Sequence, residues 1–98
     1  MENKEREITV FSIVTYEAPE YFDRCLRNLD WTKKYPHIQV VVFDNSSSTD
    51  IKTIFDKYQE GYTYYHSDEN LGYGKSHNEV WKFAKYEFLA KRALILMS

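Results

Sequence analysis

Four short apolar runs punctuate the chain, and between them apolar positions recur at helical spacing. Ile8, Val10, Phe11, Ile13 and Val14 predict a strand over residues 8–15. Tyr16-Glu17-Ala18-Pro19 breaks it. Pro19 suits the first turn of a helix, and Glu20 and Asp23 suit its positive end. Phe22, Cys25, Leu26 and Leu29 follow at i, i+3, i+4 and i+7, so one face of that helix is apolar. Residues 30–37 read as a polar connection. Residues 38–44, rich in β-branched side chains, predict a second strand buried on both faces. Ile51, Ile54, Phe55 and Tyr58 repeat the helical spacing, with Gly61 as a stop. A third strand is expected over residues 62–66 and a loop with two glycines over residues 67–74. A third helix over residues 78–88 would turn Val80, Trp81, Ala84 and Phe88 inward. Ala93-Leu94-Ile95-Leu96-Met97 predicts a fourth strand.

The order is β-α-β-α-β-α-β. Helical crossovers between apolar strands imply a parallel sheet with right-handed connections. The expected fold class is α/β, with a Rossmann-like strand order 3-2-1-4 and a switch point between the first and fourth strands. With 98 residues the chain forms at most one domain. Its 43% hydrophobic content argues against disorder.

Charge narrows the partners. The net charge is −2, with 13 basic and 15 acidic side chains intermixed. No basic stripe points to nucleic acid, and no basic amphipathic helix points to a membrane surface. No run is long enough to span a membrane, and the charged segment from Met1 to Glu7 lacks the apolar core of a signal peptide. A single cysteine cannot form an internal disulfide, so a reduced, cytoplasmic chain is expected. Aromatic residues reach 17%, which suits a sugar-binding surface and a Tyr-rich core equally. The apolar run at the C-terminus is expected to continue into further sequence in the parent protein.

Candidate chemistry gathers where the second strand ends. Val42-Phe43 gives way abruptly to Asp44-Asn45-Ser46-Ser47-Ser48-Thr49. Open α/β sheets place ligands at the carboxyl ends of their strands. Three βα loops would meet there: residues 15–21, residues 44–49 and residues 68–78. They offer carboxylates, amides, hydroxyls, glycine backbone, Lys75 and His77, which suits a polar ligand with a planar base and an anionic tail. Asp44, Asn45, Ser46 and Ser47 serve as caps and turns equally well by residue type.

Other motifs fall short. Gly74-Lys75-Ser76 resembles the end of a phosphate-binding loop, but Glu69 stands where its first glycine belongs. Gly72-x-Gly74 fails the dinucleotide fingerprint, since His77 holds the third glycine position. His37, His66 and His77 lack metal-ligand spacing and read as solvated surface residues. Cys25 reads as a packed thiol.

The stretches FSIVTYEAPEYFDRCLRNL, IQVVVFDNSSSTD and ENLGYGKSHNEVWKFAK, in this order and spacing, resemble successive motifs of family-2 glycosyltransferases. The resemblance runs from about residue 8 to residue 97. It implies the N-terminal, nucleotide-binding half of a GT-A domain over residues 1–98, ending before the family's metal-binding Asp-x-Asp. The implied ligand is a nucleotide-diphosphate sugar, UDP or dTDP linked, transferred with inversion to an acceptor hydroxyl by the full-length protein. By resemblance, Thr15, Tyr16 and Glu17 lie at the nucleobase, and Asp44, with Asn45 and Ser46 beside it, accepts a hydrogen bond from the base N–H. Asn70, Gly72 and Gly74 pass the ribose and phosphates, and Asn78 precedes the third helix. His77 stands where the family often has Arg, so Lys75 is expected to supply charge for the diphosphate.

A divalent metal, Mn or Mg, is expected only in the full-length enzyme. No catalytic or metal-ligating residue is assigned within these 98, and the fragment alone is expected to be inactive. The full-length protein is expected in the cytoplasm, including the inner face of a membrane, and this chain is expected to self-associate through residues 93–97. A non-catalytic nucleotide-binding or regulatory module is the alternative. A phospho-acceptor receiver domain fits poorly, because Val14-Thr15-Tyr16 stands where its acidic pair belongs.

Overall fold

A computed structural model describes residues 8–58, 61–87 and 92–97. Strands β1 (Thr9–Thr15), β2 (Ile38–Asp44), β3 (Tyr62–His66) and β4 (Arg92–Met97) alternate with helices α1 (Pro19–Asn28), α2 (Asp50–Phe55) and α3 (Gly72–Glu87). The strands lie in the order β3-β2-β1-β4, and every pairing is parallel. The α/β class, the parallel sheet and the alternation of strands and helices agree with the sequence reading.

Residues in a strand point alternately to the two faces, so β1 and β2 build two cores. Phe11, Ile13, Val40 and Val42 pack with Phe22, Leu26 and Leu29 of the α1 segment and with Ile51 and Phe55 of α2. Val10, Val14, Val41 and Phe43 pack with Val80 and Ala84 of α3. Burial on both faces explains the nearly continuous apolar run from Val40 to Phe43. Pro19 opens α1 without any side-chain cap, as its missing N–H allows. Burial pushes the Cys25 thiol pKa up, in keeping with a packed thiol.

Three expectations need correction. The connection after α1 contains a 3-10 helix, Asp30–Lys34, anchored where Thr32 donates its hydroxyl to Leu29 O at 2.7 Å. The second helix ends at Phe55. Lys57 and Tyr58 then donate their N–H groups to Ile54 and Phe55 carbonyls, so tight turns carry Tyr58 onto the core. The third helix starts at Gly72, so Asn78 lies inside it and does not precede it. The two glycines suggested a loop, but the backbone freedom of glycine lets Gly72 turn the chain into the helix. Gly72 takes φ 80°, and its N–H donates to Asn70 Oδ1 at 3.1 Å. Phe88, expected inward on this helix, lies outside the described residues.

Candidate functional site

The carboxyl ends of β1 and β2 are bonded into one polar cluster. Thr15 and Asp44 are register partners in the parallel pair, and both are fully buried. Asn45 donates its N–H to Thr15 O at 2.9 Å, which keeps the strands together one residue past the ladder. Asp44 bends its side chain back on the following turn, where Oδ1 accepts from Ser46 N–H at 2.8 Å. This is the short Asx turn that its residue type favours. Its other oxygen, Oδ2, accepts the Tyr64 hydroxyl of β3 at 2.6 Å. Burial and the neighbouring carboxylate raise the Tyr64 pKa far above its ordinary value, so the phenol stays a donor.

Two further ties converge on the turn after β2. Glu17 donates its N–H to Ser46 Oγ at 2.7 Å, and its Oε2 accepts from Ser47 N–H and Oγ at 3.0 and 2.6 Å. Those bonds to the charged form lower the Glu17 pKa. Asn45 reaches the other way. Its Nδ2 donates to Ser76 Oγ of α3 at 2.8 Å, and its Oδ1 accepts from Leu71 N–H at 3.3 Å. His66 Nε2 closes the edge on Ser46 O at 2.8 Å.

The structure therefore brings together Thr15, Tyr16, Glu17, Asp44, Asn45 and Ser46, with the Asn70–Gly72 turn attached through Asn45. Asn45 and Ser46 are almost fully buried, and their polar atoms are engaged with the protein. Tyr16 is 47% exposed beside them. Within this cluster Thr15 Oγ1 is buried and has no hydrogen-bond partner among the described residues.

The remaining candidates sit on α3. Lys75 and Asn78 line an open cleft with Leu71, Trp81 and Lys82. Gly74 has open space where a Cβ would stand, so nothing in the chain itself requires glycine there. His77 corrects the reading of a solvated histidine. It is half-buried between α3 and β1, with Nδ1 2.6 Å from Ser12 Oγ, and desolvation lowers its pKa.

Sequence reasoning missed Tyr64 and Ser76. Tyr64 had a signal, since alternation places it on the same sheet face as Val42 and its neighbour Asp44. Ser76 had none, because only the packing of α3 against the sheet brings it to Asn45, 31 residues away in sequence.

Among the described residues, no group of three or more His, Cys, Asp or Glu side chains is placed to hold a metal ion. The sequence contains no Asp-x-Asp. The described residues thus do not fit a divalent metal by themselves, and no chemistry is assigned through one. No helix among the described residues is long and apolar enough to cross a membrane.

No curated protein and no solved structure matches the chain. The family model described as Glycosyl transferase family 2 matches residues 11–91, a span that contains the whole polar cluster, all of β2 and β1 from Phe11 onward. The chain belongs to glycosyl transferase family 2.

Proposed function

We propose that this chain is the donor-binding part of a glycosyltransferase, a partial GT-A domain with Rossmann-like connectivity. In this reading it holds a nucleotide-diphosphate sugar at the carboxyl ends of β1 and β2. The observation that carries the reading is that Asp44, a buried carboxylate, is the register partner of Thr15, whose buried Oγ1 has no hydrogen-bond partner among the described residues. Buried hydroxyls are nearly always hydrogen-bonded, so an orphan beside a carboxylate is well explained by a polar ligand.

The proposed base is uracil or thymine. Each presents an imide N–H, and an ionised carboxylate is acceptor-only with about four acceptor sites. Ser46 and Tyr64 use one site on each oxygen. Because Asp44 is fully enclosed, base binding includes a local opening, by displacement of the Tyr16–Glu17 turn or of the Tyr64 hydroxyl. Tyr16 supplies an exposed ring beside the base, and the Asn70–Gly72 turn passes the ribose and phosphates. Lys75 contributes positive charge toward the diphosphate.

Transfer with inversion to an acceptor hydroxyl is proposed for the full-length protein. The carboxylates that hold a divalent metal, and the base that activates the acceptor, would come from outside these 98 residues. The proposed setting is the cytoplasm. Self-association through β4, at the margin of the described sheet, is proposed because an unpaired strand edge invites pairing.

Isothermal calorimetry with UDP, CDP and GDP tests the base site. Cytosine has no imide N–H, so UDP binds more tightly than CDP by about 10- to 100-fold, the range of a hydrogen bond to a charged group. GDP binds more weakly than UDP. Equal affinity for UDP and CDP would remove Asp44 from base recognition.

A further inference from the structure

Glu17 combines features that a simple ligand contact does not explain. Among the described residues it is the one non-glycine residue with positive φ, at 50°. Side chains with a Cβ avoid this region, and Glu has no special preference for it. The conformation is held from outside the loop. The Glu17 N–H donates to Ser46 Oγ, and the carboxylate takes both donors of Ser47. All three bonds cross from the β1 loop to the β2 loop. Ser46, at the far end of the tie, is buried and held by Asp44 and His66. The exposed ring of Tyr16 precedes Glu17 directly.

We infer that Glu17 is a positioning residue of the proposed nucleotide site. Its tie to Ser46 and Ser47 sets the turn that presents Tyr16 beside Asp44, and its carboxylate is directed to Ser47 rather than to the ligand. A carboxylate facing the diphosphate would repel it. One bonded to Ser47 acts on base and ribose binding alone. This role rests on the nucleotide reading given above.

The test uses the whole chain, with calorimetry of uridine and of UDP and thermal unfolding to verify each variant's fold. Glu17→Ala weakens uridine and UDP by the same factor, roughly 3- to 10-fold, as expected for a lost hydrogen-bonded tie. Ser47→Ala weakens both as well. The double variant Glu17→Ala/Ser47→Ala is no weaker than Glu17→Ala alone, because the two side chains act as one unit. Glu17→Gln, which keeps a carbonyl acceptor, recovers part of the loss. Glu17→Gly, which relaxes the backbone without restoring the tie, does not.

Additive losses in the double variant would mean that Glu17 touches the nucleotide, and would overturn the role. So would UDP binding that tightens in Glu17→Ala while uridine is unchanged, or binding of both ligands that no variant alters. If the unaltered chain binds neither uridine nor UDP, the nucleotide reading itself falls and takes this role with it. That result appears in the wild-type arm and is distinct from failure in the variants.

Discussion

The carboxyl ends of β1 and β2 and the 3-10 segment leading into β2 invert the usual rule of burial in opposite ways. At the strand ends and on the turn of α3 bonded to them, Thr15, Asp44, Asn45, Ser46 and Ser76 are at most 4% exposed. In the 3-10 helix and the residue that caps it, Trp31 and Tyr35 stand 49% and 42% exposed. Polar residues normally face water, and large aromatic residues are normally well buried. The two inversions differ in how they are compensated. Buried polar groups cost stability unless bonded, and most of those at the strand ends are bonded to one another. The rings need no partner. Trp31 simply meets Phe11 and Tyr35 edge-on, with centroids 6.2 and 5.8 Å apart. The polar end is therefore interlocked, and the aromatic segment is loosely dependent on its neighbours.

That contrast is sharpest in substitutions. Asp44→Ala leaves Ser46 N–H and the Tyr64 hydroxyl without their acceptor. It is expected to lower unfolding free energy by about 3 kcal/mol, read by urea denaturation. Asn45→Ala strands Ser76 Oγ and Leu71 N–H and is expected to cost about 2 kcal/mol in the same experiment. Trp31→Ala removes edge contacts at a half-exposed site and is expected to cost about 1 kcal/mol. A Trp31 effect larger than that of Asp44 would reverse the comparison.

A smaller effect separates the two loops at the polar end by pH. The Glu17 carboxylate is held below its ordinary value by Ser47. A group with a depressed folded pKa contributes stability above its unfolded value of 4.5, and loses it as pH falls through the folded one. Protection of the Ser47 amide, its exchange relative to the intrinsic rate at each pH, is therefore expected to fall below pH 4.5, and Glu17→Gln is expected to flatten that dependence. Unchanged protection in acid would show that the tie does not depend on the carboxylate charge.

The sequence made the scaffold legible because strand and helix periods differ, and Phe22, Leu26, Val80 and Ala84 fell on the expected inner faces. The break from Phe43 to Asp44 marked the polar edge for the same reason. Side-chain commitments were not legible. Asn45 and Ser46 carry the same groups whether they bind a ligand or their neighbours, and only the fold places Ser76 and Glu17 within reach. The start of α3 was hidden because glycines at a first turn resemble a loop in sequence.

We propose that the interlocked polar end, not the aromatic segment, receives a uridine nucleotide. Amide chemical shifts of the whole chain during titration with UDP test it most directly. The account predicts that the shifts centre on Glu17, Asn45, Ser46, Ser47 and Leu71, with Trp31 and Tyr35 unmoved. Shifts centred on Trp31 and Tyr35, or a spectrum unchanged at saturating UDP, would contradict it.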